Sequence, residues 1–219
     1  MSSYINQYAL EGMWLKGNTH CDADRHIAAP QTNISVCQWY RRHGFDFVAV
    51  RHTPEQLGSQ ALEGNFIPVL GEELHPGHLV VLGIGEQVLP DVDQRRAHGD
   101  TLEETTAFVK EIRRQGGIAI IAHPFWTGWG WPQLTELMNA GVQGFEVTSG
   151  DWRKESLARA NQIYKMLLSG GYRPAAIGAD DSHGLGDELA GKAWTGVLAG
   201  DHTSDGILAA IRTGRTYAS

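Results

Sequence analysis

The sequence predicts an α/β fold built on a largely parallel sheet, as a single domain spanning residues 1–219. Two observations predict it. Short apolar runs alternate with segments of helical periodicity, and ligand-type side chains gather at one end of those runs. The bulk numbers agree: 219 residues suit one domain with a sizeable core. A net charge of -7 with no basic block argues against nucleic acid as a partner. No apolar stretch is long enough to span a bilayer, and "MSSYINQYAL" lacks the basic-then-apolar pattern of a leader, so a cytoplasmic protein is expected. The two cysteines give no disulfide framework, and both Cys21 and Cys37 read as packing residues.

The elements follow in order. "MWL" opens a first strand, and "NISVCQWYRRHG" is a short helix with Ile34, Cys37 and Tyr40 on one face. "FDFVAV" (45–50), "FIPVL" (66–70) and "HLVVLGI" (78–84) are apolar runs of strand length, the last two joined by a hairpin between Leu74 and Gly83. "EQVLPDVDQRRAHGD" (86–100) is a polar loop of lid length. "TLEETTAFVKEIRRQGG" starts on a capping box, Thr101 with Glu104. It sets Leu102, Phe108, Val109 and Ile112 on one face and stops at Gly116-Gly117. Strands "GIAIIA" (117–122), "GFEVT" (144–148), "PAAIGA" (174–179) and "WTGVLA" (194–199) follow. The helix "KESLARANQIYKMLLSGG" carries Leu157, Ala160, Tyr164 and Leu167 on one face, and "TSDGILAAIRTG" is a last short helix.

Five strands end in carboxylate or imidazole. His20 and Asp22 close the first, His52 the second, Glu72 and Glu73 the third, His123 the run 117–122, and Asp180, Asp181 and His183 the run 174–179. In barrel-like α/β folds the C-terminal strand ends carry the active site, because the βα loops converge there. Nitrogen and oxygen ligands without a thiolate cluster suit Zn²⁺, Mn²⁺ or Fe²⁺. The candidates exceed one tetrahedral shell, so two or three divalent ions are expected. Clustered ions of this kind polarise a phosphoryl oxygen, supply hydroxide near neutral pH and stabilise the leaving oxygen.

The motifs "HCD" (20–22), "RH" (51–52), "GEE" (71–73), "HLVVLGI" from His78, "AHP" (122–124) and "DSH" (181–183) resemble, in order and spacing, those of the polymerase-and-histidinol-phosphatase (PHP) family of metal-dependent hydrolases. The resemblance implies a distorted (β/α)7 TIM-like barrel and a cluster of up to three metals. Carried over by residue, it implies one site of His20, Glu73 and Asp181 with Asp22. A second would share Glu73 and add His78 and His123, and a third would use His52 and His183 with His26. Two positions depart from the family. Asp22 stands where the family has histidine, and Arg51 where it has aspartate. Position 27, where an Asp or His often stands, is Ile, with His26 beside it. The pair Asp22 and Arg51 reads as a linked exchange in which the guanidinium offsets an extra carboxylate. Strand alternation turns Glu72 away from the site and makes Asp180 a supporting residue. Glu146 reads equally as support for the ligands or as a salt-bridge partner, and His78 also reads as a plain edge residue.

On the substrate side, Arg25 and Arg51 suit a phosphate or carboxylate. "HPFWTGWGWP" (123–132) offers Trp126, Trp129 and Trp131, either as a pocket for an aromatic or apolar leaving group or as packing. The expected activity is a metal-dependent phosphoesterase acting on a small molecule, with Arg51 and His183 as catalytic groups. Hydrolysis of a carboxylic ester, amide or carbamate is the alternative, and a degenerate non-catalytic domain is the third reading.

Overall fold

A computed structural model describes residues 6, 9–21, 30–58, 64–84, 101–150, 153–184 and 188–219. Its elements run β1 (Met13–Asn18), α1 (Pro30–Arg42), β2 (Phe47–Val50), α2 (Pro54–Leu57), β3 (Ile67–Leu74), β4 (Leu79–Leu82) and α3 (Leu102–Arg114). They continue β5 (Ile118–Ile121), α4 (Trp131–Ala140), β6 (Gly144–Ser149), α5 (Lys154–Ser169), β7 (Ala175–Ala179), β8 (Thr195–Ala199), α6 (Ser204–Arg212) and β9 (Thr216–Ala218). The strands form one sheet in the order β7-β6-β5-β4-β3-β2-β1-β8-β9.

That sheet curls until its edges meet. The Thr195 hydroxyl donates to Gly178 O at 2.7 Å and accepts from Gly178 N–H at 3.0 Å, joining β7 to β8. Cys21 forms a parallel bridge to Ser182, and Asp181 N–H donates to His20 O at 3.2 Å, joining the ends of β1 and β7. A nearly closed α/β barrel results. Gly178 sits in this seam because a Cβ there would lie 2.4 Å from Trp194 O. Gly17 serves the interior in the same way, its missing Cβ leaving room for the Phe47 ring.

The alternation of each strand splits its side chains between two cores. Phe47, Ala49, Ile67, Val69, Val80, Leu82, Ile118 and Ile120 fill the barrel, joined by Ile207, Leu208, Ala210 and Ile211 of α6. Leu79, Val81, Ala119, Ile121, Phe145 and Val147 point outward under Phe108, Val109 and Ile112 of α3 and Leu134, Leu137 and Met138 of α4. A third cluster joins α1, through Ile34, Cys37 and Tyr40, to Val48 and Val50. Burial pushes the Cys37 thiol up to about 12, which suits a packing residue.

The structure differs from the sequence reading in three places. The run 194–199 forms a strand, but β8 pairs antiparallel with β1. A ninth strand, β9, pairs antiparallel with β8, so the sheet has nine strands where the resemblance implied seven. Trp131 opens helix α4 with Pro132 in its first turn, which shortens the expected tryptophan loop. The hairpin between Leu74 and Gly83 is present as β3 and β4. The α3 capping box forms as expected, Glu104 N–H donating to the Thr101 hydroxyl at 3.1 Å. Among the described residues, no helix is long and apolar enough to cross a membrane.

Candidate metal centre

The inner face of β3 reads Ile67, Val69, Gly71 and Glu73, so alternation carries Glu73 into the barrel mouth as the apolar lining ends. The same rule turns Phe145 and Val147 of β6 outward and Glu146 inward. His20, His123 and Asp181 each stand just past a parallel strand, and His78 closes the β3–β4 turn. Five of the residues expected at the site therefore meet: His20, Glu73, His78, His123 and Asp181. They form two groups, His20 with His123 and Asp181, and Glu73 with His78 and His123. Within each group the ligand atoms lie within 4.8 Å of one another. The member shared between the groups is His123, where the resemblance implied Glu73.

Glu146 holds this cluster from behind. It is fully buried, and its Oε1 accepts from His20 Nδ1 at 2.8 Å while its Oε2 accepts the His123 backbone N–H at 2.7 Å. In the neutral ring, donating through Nδ1 turns the His20 Nε2 lone pair toward the site. That nitrogen lies 3.1 Å from Asp181 Oδ1 and 4.0 Å from Glu73 Oε2, yet is buried without a hydrogen-bond partner. Lone pairs facing one another across a dry gap need a cation between them. A carboxylate behind a histidine that presents its other nitrogen is the usual support of a metal ligand.

Charge gives the same result. Among the described residues, Glu73, Glu146 and Asp181 are buried beside the imidazoles of His20 and His123, with the half-buried His78 next to them. With the three imidazoles of the cluster neutral, three negative charges remain to be balanced by bound cations or by protons. Burial by itself lowers the His20 pKa, but Glu146, Asp181 and Glu73 outweigh it and hold the ring well above the usual imidazole range, so without a metal a proton on Nε2 takes the place of the cation. His123 is raised in the same way, chiefly by its hydrogen bond with Glu73 against the effect of burial. Burial raises Glu73, yet His123, His78 and His20 bring it well below the usual carboxylate range. His78 Nδ1 and His123 Nε2 reach the same Glu73 oxygen at 2.8 and 2.9 Å. This nitrogen and carboxylate set fits Zn²⁺, Mn²⁺ or Fe²⁺.

Other expected residues stand apart. His183 lies at the rim, 54% exposed, with Nε2 at 3.7 Å from Asp181 Oδ1. His52 is half-buried after β2 and belongs to neither group. Arg51 Nε pairs with Glu72 at 2.5 Å, so the structure gives the guanidinium a carboxylate partner on β3. Its expected partner Asp22 lies outside the described residues, as do Arg25, His26 and the loop 86–100. The three tryptophans separate. Trp126 lies against His123 with ring centroids 4.6 Å apart, Trp129 packs on the α3 side of the core, and Trp131 rests over Gly170.

One residue, His75, escaped the sequence reading, while Asp180, expected as a supporting residue, lies in a hydrogen-bond network. His75 stands beside His78 with ring centroids 4.3 Å apart. Asp180 accepts from Asn18 Nδ2 and Tyr40 OH, both at 2.6 Å, from Gly191 N–H at 2.7 Å and from Ser182 N–H at 3.2 Å. Burial raises the Asp180 pKa against those four donors. Asn18 Oδ1 also accepts the His20 backbone N–H at 3.2 Å, so this network braces both His20 and Asp181.

Comparison with protein-family models and with curated proteins finds no match. Solved structures match in fold. A two-domain protein from Bacteroides vulgatus, described as containing a predicted PHP-like metal-dependent phosphoesterase, aligns with a TM-score of 0.65 at 18% identity, over 100% of this chain and 69% of that one. The lesion-specific endonuclease PfuEndoQ from Pyrococcus furiosus aligns at 0.57 and 13% identity, over 94% of this chain and 58% of its own. An amidohydrolase from Chromobacterium violaceum, with bound sulfate and no metal, aligns at 0.51 and 15% identity, over 78% and 88%.

Proposed function

We propose that this chain, whose fold is that of the PHP-like metal-dependent phosphoesterases, is a metal-dependent hydrolase of small-molecule phosphate esters. The observation that carries the reading is the buried His20 Nε2, oriented by Glu146 and converging with His123 and Asp181 on one place. His20, His123 and Asp181 would hold one ion, and Glu73, His78 and His123 a second. Bound divalent ions supply a polarised phosphoryl oxygen, a nucleophile near neutral pH and neutralisation of the leaving oxygen.

The protein's own groups do the rest. Glu146 fixes the His20 tautomer and the His123 backbone, which keeps the ligand atoms pointed at one place. The apolar barrel lining beneath keeps the cluster dry. Hydrolysis bonds a water oxygen to phosphorus and breaks the P–O bond to the leaving group. The leaving oxygen takes the bonding electron pair and then a proton. His183, exposed at the rim beside Asp181, is the group that delivers that proton. Arg51 is assigned to the rim, where Glu72 anchors it.

The test is elemental analysis of protein purified without chelator, followed by turnover of p-nitrophenyl phosphate and p-nitrophenyl acetate. About two divalent ions per chain are expected, with turnover of the phosphate ester. Asp181→Ala is expected to lose both metal and turnover. Hydrolysis of the acetate alone would favour the carboxylic ester and amide reading, which the similarity in fold to an amidohydrolase keeps in view. Protein that carries no metal, or metal with no turnover of either ester, would overturn the proposal.

A further inference from the structure

Trp126 is 57% exposed, the highest value among the large apolar side chains at the barrel mouth. Exposing an indole forgoes burial worth about 25 cal/mol per Å² of apolar surface, so its position calls for an explanation. The ring is not loosely placed. The Trp126 backbone N–H donates to His123 O at 2.9 Å, and the Thr127 hydroxyl donates to Pro124 O at 3.2 Å, which closes a tight turn directly after a candidate ligand. One face of the indole leans on the His123 imidazole at 4.6 Å and 35°. His123 meets His78 at 4.9 Å, and His78 meets His75 at 4.3 Å. Four rings thus line one side of the candidate metal centre, and the outermost is a tryptophan that meets Phe125 edge-to-face at 6.0 Å and is still more than half exposed.

The other described tryptophans are committed elsewhere. Trp129 packs on the core, Trp131 covers Gly170, Trp39 stacks on His43, Trp14 meets Tyr217, and Trp194 lies under the Lys16 ammonium. Trp126 alone among them adjoins a candidate ligand.

Resting on the hydrolase reading, we infer that Trp126 is a stacking platform for a planar aromatic leaving group, so the substrates are aryl or heteroaryl phosphate esters. His123 offers a ring nitrogen to the centre, and Trp126 lies against the same imidazole, so the indole stands beside a phosphoryl group held there. An aromatic ring on the ester oxygen then lies next to that indole, and aromatic pairs settle with centroids about 4.5–7 Å apart. Aliphatic esters of the same length reach the same place without a flat face to offer.

Phenylphosphonate and cyclohexylphosphonate test this without turnover. Their rings match in size, but only one is planar. Binding to Zn²⁺-loaded protein is followed by calorimetry and by quenching of tryptophan fluorescence. Wild type is expected to bind phenylphosphonate about tenfold more tightly. In Trp126→Ala that ratio falls toward one, and in Trp126→Phe most of it returns. The quenching by phenylphosphonate disappears in Trp126→Phe, because the reporting indole is gone. A ratio that Trp126→Ala leaves unchanged overturns the stacking inference while sparing the hydrolase reading. Wild type that binds neither phosphonate overturns the metal-centre reading and the inference with it. Tight binding of single-stranded oligonucleotides in place of phenylphosphonate assigns the same ring to a nucleic acid and likewise overturns it.

Discussion

Replacing Glu146 with Gln tests the centre at the residue that touches no substrate. Glu146 accepts from His20 Nδ1 at 2.8 Å and from the His123 N–H at 2.7 Å, one oxygen for each. Gln has nearly the same shape but offers one acceptor oxygen and one NH₂ donor. Whichever way it turns, one of the two donors then faces another donor. The loss is one hydrogen bond to a charged acceptor, about 1.5–3 kcal/mol. At about 1.4 kcal/mol per factor of ten, that corresponds to roughly 10–100-fold weaker metal binding, the usual cost of disturbing such a support. The assay is competition for Zn²⁺ against a chromophoric chelator, with circular dichroism to confirm the fold. Affinity within about threefold of wild type in folded Glu146→Gln protein would refute the reasoning. Either His20 would then keep its orientation without Glu146, or it would not be a ligand.

Other expectations concern the frame around the site. Gly178→Ala drives a Cβ against the Trp194 carbonyl, a backbone group that cannot turn aside. Such overpacking should cost about 1–3 kcal/mol, read as a lower denaturation midpoint, and an unchanged midpoint would mean that the β7–β8 seam is loose. Tyr40→Phe removes one of four donors from the buried Asp180 carboxyl and should cost roughly 1.5–3 kcal/mol by chemical denaturation. A double-mutant cycle on Arg51 and Glu72 should give a coupling of about 1 kcal/mol, since both are largely shielded from water. A larger coupling of Arg51 with Asp22 would restore the linked exchange suggested by the sequence.

Much of this architecture is legible in the chain because strands buried on both faces leave a plain mark. "FDFVAV" supplies Phe47 and Ala49 to the barrel and Val48 and Val50 to the outer layer, so nearly every position is apolar. The same property hides strand direction. "WTGVLA" reads identically either way, and the helix after it imitates a βα unit, so the antiparallel β8 is invisible until pairing is known. β9 has only three residues, too few for any periodicity. At the site, His20, Glu73, His123 and Asp181 announce themselves by ending strands. Glu146 is less conspicuous, since one acid in an apolar run also suits a salt bridge. Its signal lies in phase: with Phe145 and Val147 turned outward, Glu146 must enter the barrel. The tryptophans could not be told apart by spacing, because the turn set by the Trp126 backbone N–H on His123 O decides which ring adjoins the centre.

Backbone geometry adds what spacing cannot show. Among the described non-glycine residues, His78, His123 and Asp181 have positive φ, at 51°, 23° and 53°, and all three are candidate ligands. A side chain leaving a strand end points along the strand's own alternation, and left-handed backbone swings it toward a shared centre. That conformation costs an L-residue about 1–2 kcal/mol, and such strain persists only where surrounding contacts hold it. Asp181 is held by its N–H bond to His20 O, which also ties β7 to β1. Comparing Asp181→Gly with Asp181→Ala isolates this strain, because both variants lose the carboxylate and the ligand. Glycine accepts φ near 53° freely, while alanine keeps the penalty. Measured without metal, Asp181→Gly should be more stable than Asp181→Ala by about 1 kcal/mol, or roughly 2–4 °C in Tm for a chain of this size. In ordinary strand or helix positions the order is the reverse, since glycine there costs about 0.5–1 kcal/mol relative to alanine. If alanine proves equal or better, the backbone at Asp181 is unstrained, and its carboxylate reaches the centre without stored energy.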